Sequence, residues 1–139
     1  MKTFFECKAK FVATDEDGKE KRKSEQYLVN AVNFTDAEST TIKYLEENIS
    51  GSSTVMAIKR SSIDEVVNVS DEGKYYLAKV RFVSIDEDSG KPKQATIQLL
   101  IQADTPNQTL DAVKEHTKDW VVDVQVVQVS ESKIVDVVE

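Results

Sequence analysis

Four cations recur at matched positions: Lys8 and Lys10 near the start of the chain, and Lys79 and Arg81 seventy-one residues later. Each pair alternates with apolar residues, and the aromatics Phe4 and Tyr75 fall on the same side of the alternation. Basic residues interleaved with aromatics on a strand face suit single-stranded nucleic acid, where cations neutralise phosphates and rings stack on bases. The charge balance opposes that use. The 139 residues carry 18 Lys and Arg against 25 Asp and Glu, a net charge of −7 with a pI near 4.8. Residues 1–70 hold 10 basic and 12 acidic groups and residues 71–139 hold 8 and 13, so neither half is drawn to phosphate backbones or anionic membranes. Alternating cations are also how an exposed strand stays soluble and unpaired. Lys21-Arg22-Lys23 reads in the same way, as a solvated hairpin arm.

Other chemistry finds no support. The acidic runs Asp15-Glu16-Asp17 and Asp86-Glu87-Asp88 suggest a hard cation, yet neither is followed by the alternating oxygen ligands, sixth-position Gly and distal Glu of a calcium loop. They read as hairpin tips, where Asp and Gly supply turn chemistry. Cys7 is the sole cysteine and its counterpart is Ala78, which argues for a small core residue rather than a thiolate nucleophile. His116 is the only histidine, and one imidazole without ligands at zinc spacing makes no metal site. With four glycines and no phosphate-binding loop, no nucleotide site is expected. The expectation is no catalytic residue, no metal and no cofactor, hence no enzyme.

The elements that position these residues come from an internal echo. Phe4–Asp17 and Tyr75–Asp88 are identical at six of fourteen positions: Lys8/Lys79, Phe11/Phe82, Val12/Val83, Asp15/Asp86, Glu16/Glu87 and Asp17/Asp88. A fixed-offset echo marks a duplicated structural unit. In the first half, Phe5, Cys7, Ala9, Phe11 and Ala13 alternate with polar residues, which describes a strand with one buried face. A second run around Tyr27, Val29 and Ala31 completes a hairpin. Thr35 with Glu38 predicts a capping box at the start of a helix whose stripe is Ala37, Thr41, Leu45 and Asn48/Ile49, widened by Ile42. Ser50-Gly51-Ser52-Ser53 ends it, Val55–Lys59 reads as a third strand that Ile63–Val69 extends, and Asp71-Glu72-Gly73 joins the halves.

The second half replays this order. Tyr76, Ala78, Val80 and Phe82 face inward, and Ala95, Ile97, Leu99, Ile101 and Ala103 alternate in the next strand. Thr105 as N-cap, Pro106 at N1 and Gln108 at N3 start a helix with Leu110, Val113, Thr117 and Trp120 as its stripe. Val121–Val129 is strand-like, and Ile134–Val138 echoes Ile63–Val67. The fold expected is α+β: two tandem ββαβ repeats, about 1–70 and 71–139, in one domain spanning 1–139. One mainly antiparallel sheet of about six strands would carry both helices on one face, about an internal pseudo-twofold.

Phe5-Glu6-Cys7-Lys8, the segment from Tyr27-Leu28-Val29 to Phe34-Thr35-Asp36-Ala37-Glu38, and Ile58-Lys59-Arg60 resemble a family of small proteins from Bacteroides-group gut bacteria and their phages, catalogued as a domain of unknown function. The resemblance covers nearly the whole chain and implies a self-contained cytoplasmic protein without assigned activity, in a phage-related setting. The function expected is a non-enzymatic binding or assembly module acting on a protein partner, with strand edges that could also form a homodimer. The alternative is a single-stranded nucleic-acid-binding protein using Lys8, Lys10, Lys79, Arg81, Phe4 and Tyr75, a partner disfavoured by net charge. No apolar run is long enough to span a bilayer, and Met1-Lys2-Thr3 leads straight into strand sequence without a signal core. With a single cysteine, these features point to the cytoplasm and to no membrane.

Overall fold

Alternation along the first run forms β1 (Phe4–Thr14), antiparallel to β2 (Glu20–Asn30) through a tip in which Gly18 adopts φ 79°. There follow α1 (Phe34–Asn48), β3 (Ser53–Arg60), β4 (Glu65–Asn68), β5 (Lys74–Ile85), β6 (Pro92–Ala103), α2 (Pro106–Thr117), β7 (Val124–Glu131) and β8 (Ile134–Val138). The computed structural model describes residues 3–69 and 72–139; Met1, Lys2 and Asp71, which entered the sequence reading, lie outside the described residues.

The fold is α+β, with two helices and two four-stranded, mostly antiparallel sheets. The single sheet expected from the sequence is therefore corrected. One sheet has the order β3-β1-β2-β8 and the other β4-β6-β5-β7. Eight strands replace the six expected because Ile63–Val69 does not extend β3. Its residues Glu65–Asn68 run parallel to β6, while Ile134–Val138 runs parallel to β2. Short runs of this kind carry little alternation, and nothing in them says which strand they will join. The chain divides into two compact units, Met1–Ser62 with Lys133–Glu139 and Ile63–Ser132. The divisions fall after 62 and 132.

Each helix covers one face of its own sheet, not a shared face. In the first unit Phe5, Cys7, Ala9, Tyr27, Val29 and Ala31 pack beneath Ala37 and Leu45 of α1. In the second, Tyr76, Ala78, Val80, Leu99 and Ile101 pack with Ala112 and Val113 of α2. Register matches these cores strand for strand: Cys7 stands opposite Tyr27 and Ile58, and Ala78 opposite Leu99 and Val129. The echo is 71 residues in the first strands but 72 in the second. The tip closed by Asp15 N–H to Lys19 C=O becomes one residue longer where Asp86 N–H reaches Lys91 C=O.

The helices begin and bury themselves differently from the sequence reading in part. Asn33, not Thr35, caps α1: its side chain accepts from Asp36 N–H at 2.8 Å, and Asp36 in turn accepts from Val32 N–H at 3.0 Å. An Asn is an equal or better cap than Thr, and its use lets Phe34 enter the first turn. Thr105 caps α2 as expected, accepting from Gln108 N–H at 3.2 Å, while Gln108 accepts from Asp104 N–H at 2.9 Å. Ala37, Thr41 and Leu45 form the buried stripe of α1, but Ile42 is exposed. The stripe of α2 is Thr109, Ala112 and Val113, not Leu110, Thr117 and Trp120. Trp120 lies beyond the helix end and packs edge-on against Phe82, ring centroids 5.6 Å apart. Thr41 and Thr109 tolerate full burial because each hydroxyl donates to the carbonyl four residues back.

Candidate interaction surface

Lys8, Lys10, Lys79 and Arg81 occupy the strand sides facing away from the helices, the first pair on β1 and the second on β5. Their cross-strand neighbours are all uncharged: Gln26 and Ala57 beside Lys8, Ser24 and Thr54 beside Lys10, Gln98 and Gln128 beside Lys79, Thr96 and Gln125 beside Arg81. The two pairs belong to different sheets, so no single strand face gathers all four. Phe4 and Tyr75 are not available for stacking, being only 4 % and 7 % exposed. Their burial corrects the picture of aromatics standing among the cations: the terminal residue on that side of each first strand belongs to the interior.

The acidic tips use their carboxylates on their own backbone. Asp15 accepts from Asp17 N–H and Lys19 N–H at 3.0 and 2.8 Å, and Asp86 accepts from Asp88 N–H at 2.9 Å. Cys7 is a buried free thiol. Burial pushes its pKa up and a hydrogen bond with Thr41 offsets part of that, so the thiolate is disfavoured. His116 lies on α2 with Nε2 2.7 Å from the Glu65 carboxylate of β4. The first unit has an equivalent clasp: Tyr44 of α1 donates to Asp136 of β8 at 2.7 Å. Both clasps tie a helix to the parallel strand of its sheet. Tyr44 also packs on Tyr27, whose hydroxyl donates to Glu25 at 2.9 Å. Burial first and Glu25 second hold the Tyr27 phenol protonated above its ordinary range.

The most open structure is at the outer strands. β3 and β7 are eight residues long, pair on one side only with β1 and β5, and each carries a one-residue irregularity in register. The irregularity leaves Met56 between Val55 and Ala57 on one strand and Val127 between Val126 and Gln128 on the other. Both unpaired residues are apolar and exposed, Met56 48 % and Val127 41 %. A bulge re-aims a side chain at a sheet edge. Beside β3 a hollow of about 360 Å³ is lined by Phe34, Glu38, Val55, Met56 and Ile58. At its end Arg60 sits over the Phe5 and Phe34 rings, 5.9 Å from each centroid. Sequence reasoning missed this group. The echo does align Met56 with Val127, but alternation alone does not show a bulge.

The family described as Domain of unknown function (DUF4494) matches residues 3–139. The chain belongs to that family. No curated protein and no solved structure matches it. Among the described residues no helix is long and apolar enough to cross a membrane.

Proposed function

We propose that this family member is a non-enzymatic binding module whose partner is a protein, engaged by adding a strand to an open sheet edge. The observation that carries the reading is the pair of edge strands β3 and β7, each with an apolar residue turned outward at a bulge. Main-chain hydrogen bonds supply affinity in such complexes, and side-chain hollows beside the strand supply selectivity. The matching strand orders support a duplicated ββαβ unit with an internal pseudo-twofold, which would provide two comparable edges. The buried, protonated thiol suits a reducing cytoplasm.

The test is affinity capture with the wild-type chain and with Met56→Lys and Val127→Lys variants, alongside light scattering at several concentrations. Loss of a captured protein, or of a dimer, in one edge variant is expected. A strict monomer without a partner, or a partner retained equally by both variants together, overturns the reading.

A second reading, binding of single-stranded nucleic acid, has one observation in its favour: the uncharged residues directly across the ladder from Lys8, Lys10, Lys79 and Arg81. With Phe4 and Tyr75 buried it rests on phosphate contacts alone, so binding would fall steeply with salt. Absence of any shift with a labelled oligonucleotide at low salt removes it.

A further inference from the structure

We infer that the segment received by β3 is an extended peptide carrying an uncharged apolar side chain and, two residues away on the same face, an acidic side chain. The inference rests on strand addition and names its occupant. Ile58 stands opposite Cys7 and Arg60 opposite Phe5 across the β1–β3 ladder, and Phe5 and Cys7 both belong to the core beneath α1. Ile58 and Arg60 are therefore on the helix side of β3, two residues apart. A strand paired to the free side of β3 repeats that spacing, because alternate residues share a face.

The residue of the added strand beside Ile58 meets the hollow formed by Phe34, Val55 and Met56. Phe34 and Met56 are exposed at 47 % and 48 %, so covering them removes apolar surface from water. Glu38 lines the same hollow and repels a carboxylate there, so the anchor is uncharged. The neighbouring residue on that face meets Arg60. Its guanidinium is located by two aromatic rings and has no ion pair among the described residues. A guanidinium held in this way is preorganised for a forked contact with a carboxylate. Lys59 stands opposite Glu6 on the other face of β3, so Arg60 alone meets the acidic side chain.

The experiment uses the full chain and fluorescein-labelled, end-blocked nonapeptides read by anisotropy. The probes are Thr-Val-Thr-Leu-Thr-Glu-Thr-Val-Thr, its reversed sequence for the opposite strand direction, and versions of both with Gln in place of Glu. Saturable binding of at least one Glu peptide is expected, weakened about tenfold or more by the Gln exchange. In Arg60→Gln the Glu and Gln peptides should bind alike, and Met56→Asp should weaken both. Val127→Lys should change neither, and thermal melts verify that each variant is folded. A Gln peptide that binds as well as the Glu peptide overturns the carboxylate assignment while leaving strand addition standing. A Glu preference that survives in Arg60→Gln places the carboxylate elsewhere and also overturns it. Absence of binding by every peptide overturns the occupant and the β3 edge together.

Discussion

The two units share a strand order and register but fill corresponding places with different chemistry. Opposite Cys7 in the first sheet stands Tyr27, with a hydroxyl to satisfy; opposite Ala78 in the second stands Leu99, with none. The helix-to-strand clasp is Tyr44 with Asp136 in one and His116 with Glu65 in the other. The first is half-buried and the second exposed. A backbone plan can thus be kept while polar groups are redistributed, provided that each buried one finds a partner. The first unit places a Tyr–Tyr–carboxylate network at the edge of its core, whereas the second fills the place of Tyr27 with the aliphatic Leu99.

The largest effects should come from the paired core positions. Tyr27→Ala and Leu99→Ala are expected to cost about 3–5 and about 2–5 kcal/mol respectively. Urea unfolding with probes in each unit measures both losses. A severe loss in one variant and a mild loss in the other would break the equivalence of the cores. The helix starts come next. Asn33→Ala and Thr105→Ala should each cost about 0.5–2 kcal/mol, while Thr35→Ala should stay within about 0.5 kcal/mol. A costly Thr35→Ala would restore the cap first expected from sequence.

The clasps sharpen the contrast at smaller amplitude. Tyr44→Phe should lose about 0.5–1.5 kcal/mol because it takes from the partly buried Asp136 carboxylate one of its donors and leaves it, among the described residues, only the Val137 N–H. His116→Gln, at an exposed pair, should lose less than about 0.5 kcal/mol. Equal losses would show that the two clasps carry equal weight. The smallest effect at neutral pH is an alkaline one. The Tyr27 phenol has a higher pKa in the folded chain than in the unfolded chain. Its contribution is complete below about pH 10, where a free phenol starts to ionise, and is lost as pH rises toward the folded value. Denaturation midpoints between about pH 9 and 11 should therefore fall less steeply in Tyr27→Phe than in the wild-type chain. An unchanged slope would remove Tyr27 from the alkaline response.

Much of the fold was legible because it depends on local patterns. Alternation placed Phe5, Cys7, Ala9 and Phe11 on one buried face, and Thr105-Pro106 with Gln108 marked the start of α2. The reading of Phe4 and Tyr75 as open rings failed because alternation assigns a side, not an environment. Lys8 and Lys79, four residues further along the same side, remain wet. The α1 cap was misplaced by two residues because Asn33 and Thr35 are both competent caps and only the path of the backbone chooses between them. Lys8, Lys10, Lys79 and Arg81, the cations of the second reading, were visible in sequence. The Met56 bulge and the rings beneath Arg60 were not, since both arise from pairing with β1 and from the approach of α1.

By itself, the sequence determined the secondary-structure types, the inward faces of the long strands, the two turns at Gly18 and Gly90, and an echo of about half the chain's length. These follow from steric limits and hydrophobic period over a few residues. Only the tertiary structure decided that there are two sheets, with Glu65–Asn68 joining β6 and Ile134–Val138 joining β2. The physical reason is that a short strand's partner is set by which open edge lies within reach once the larger sheet has formed. Backbone hydrogen bonding is the same at every edge, so the choice is absent from the residues of the strand itself.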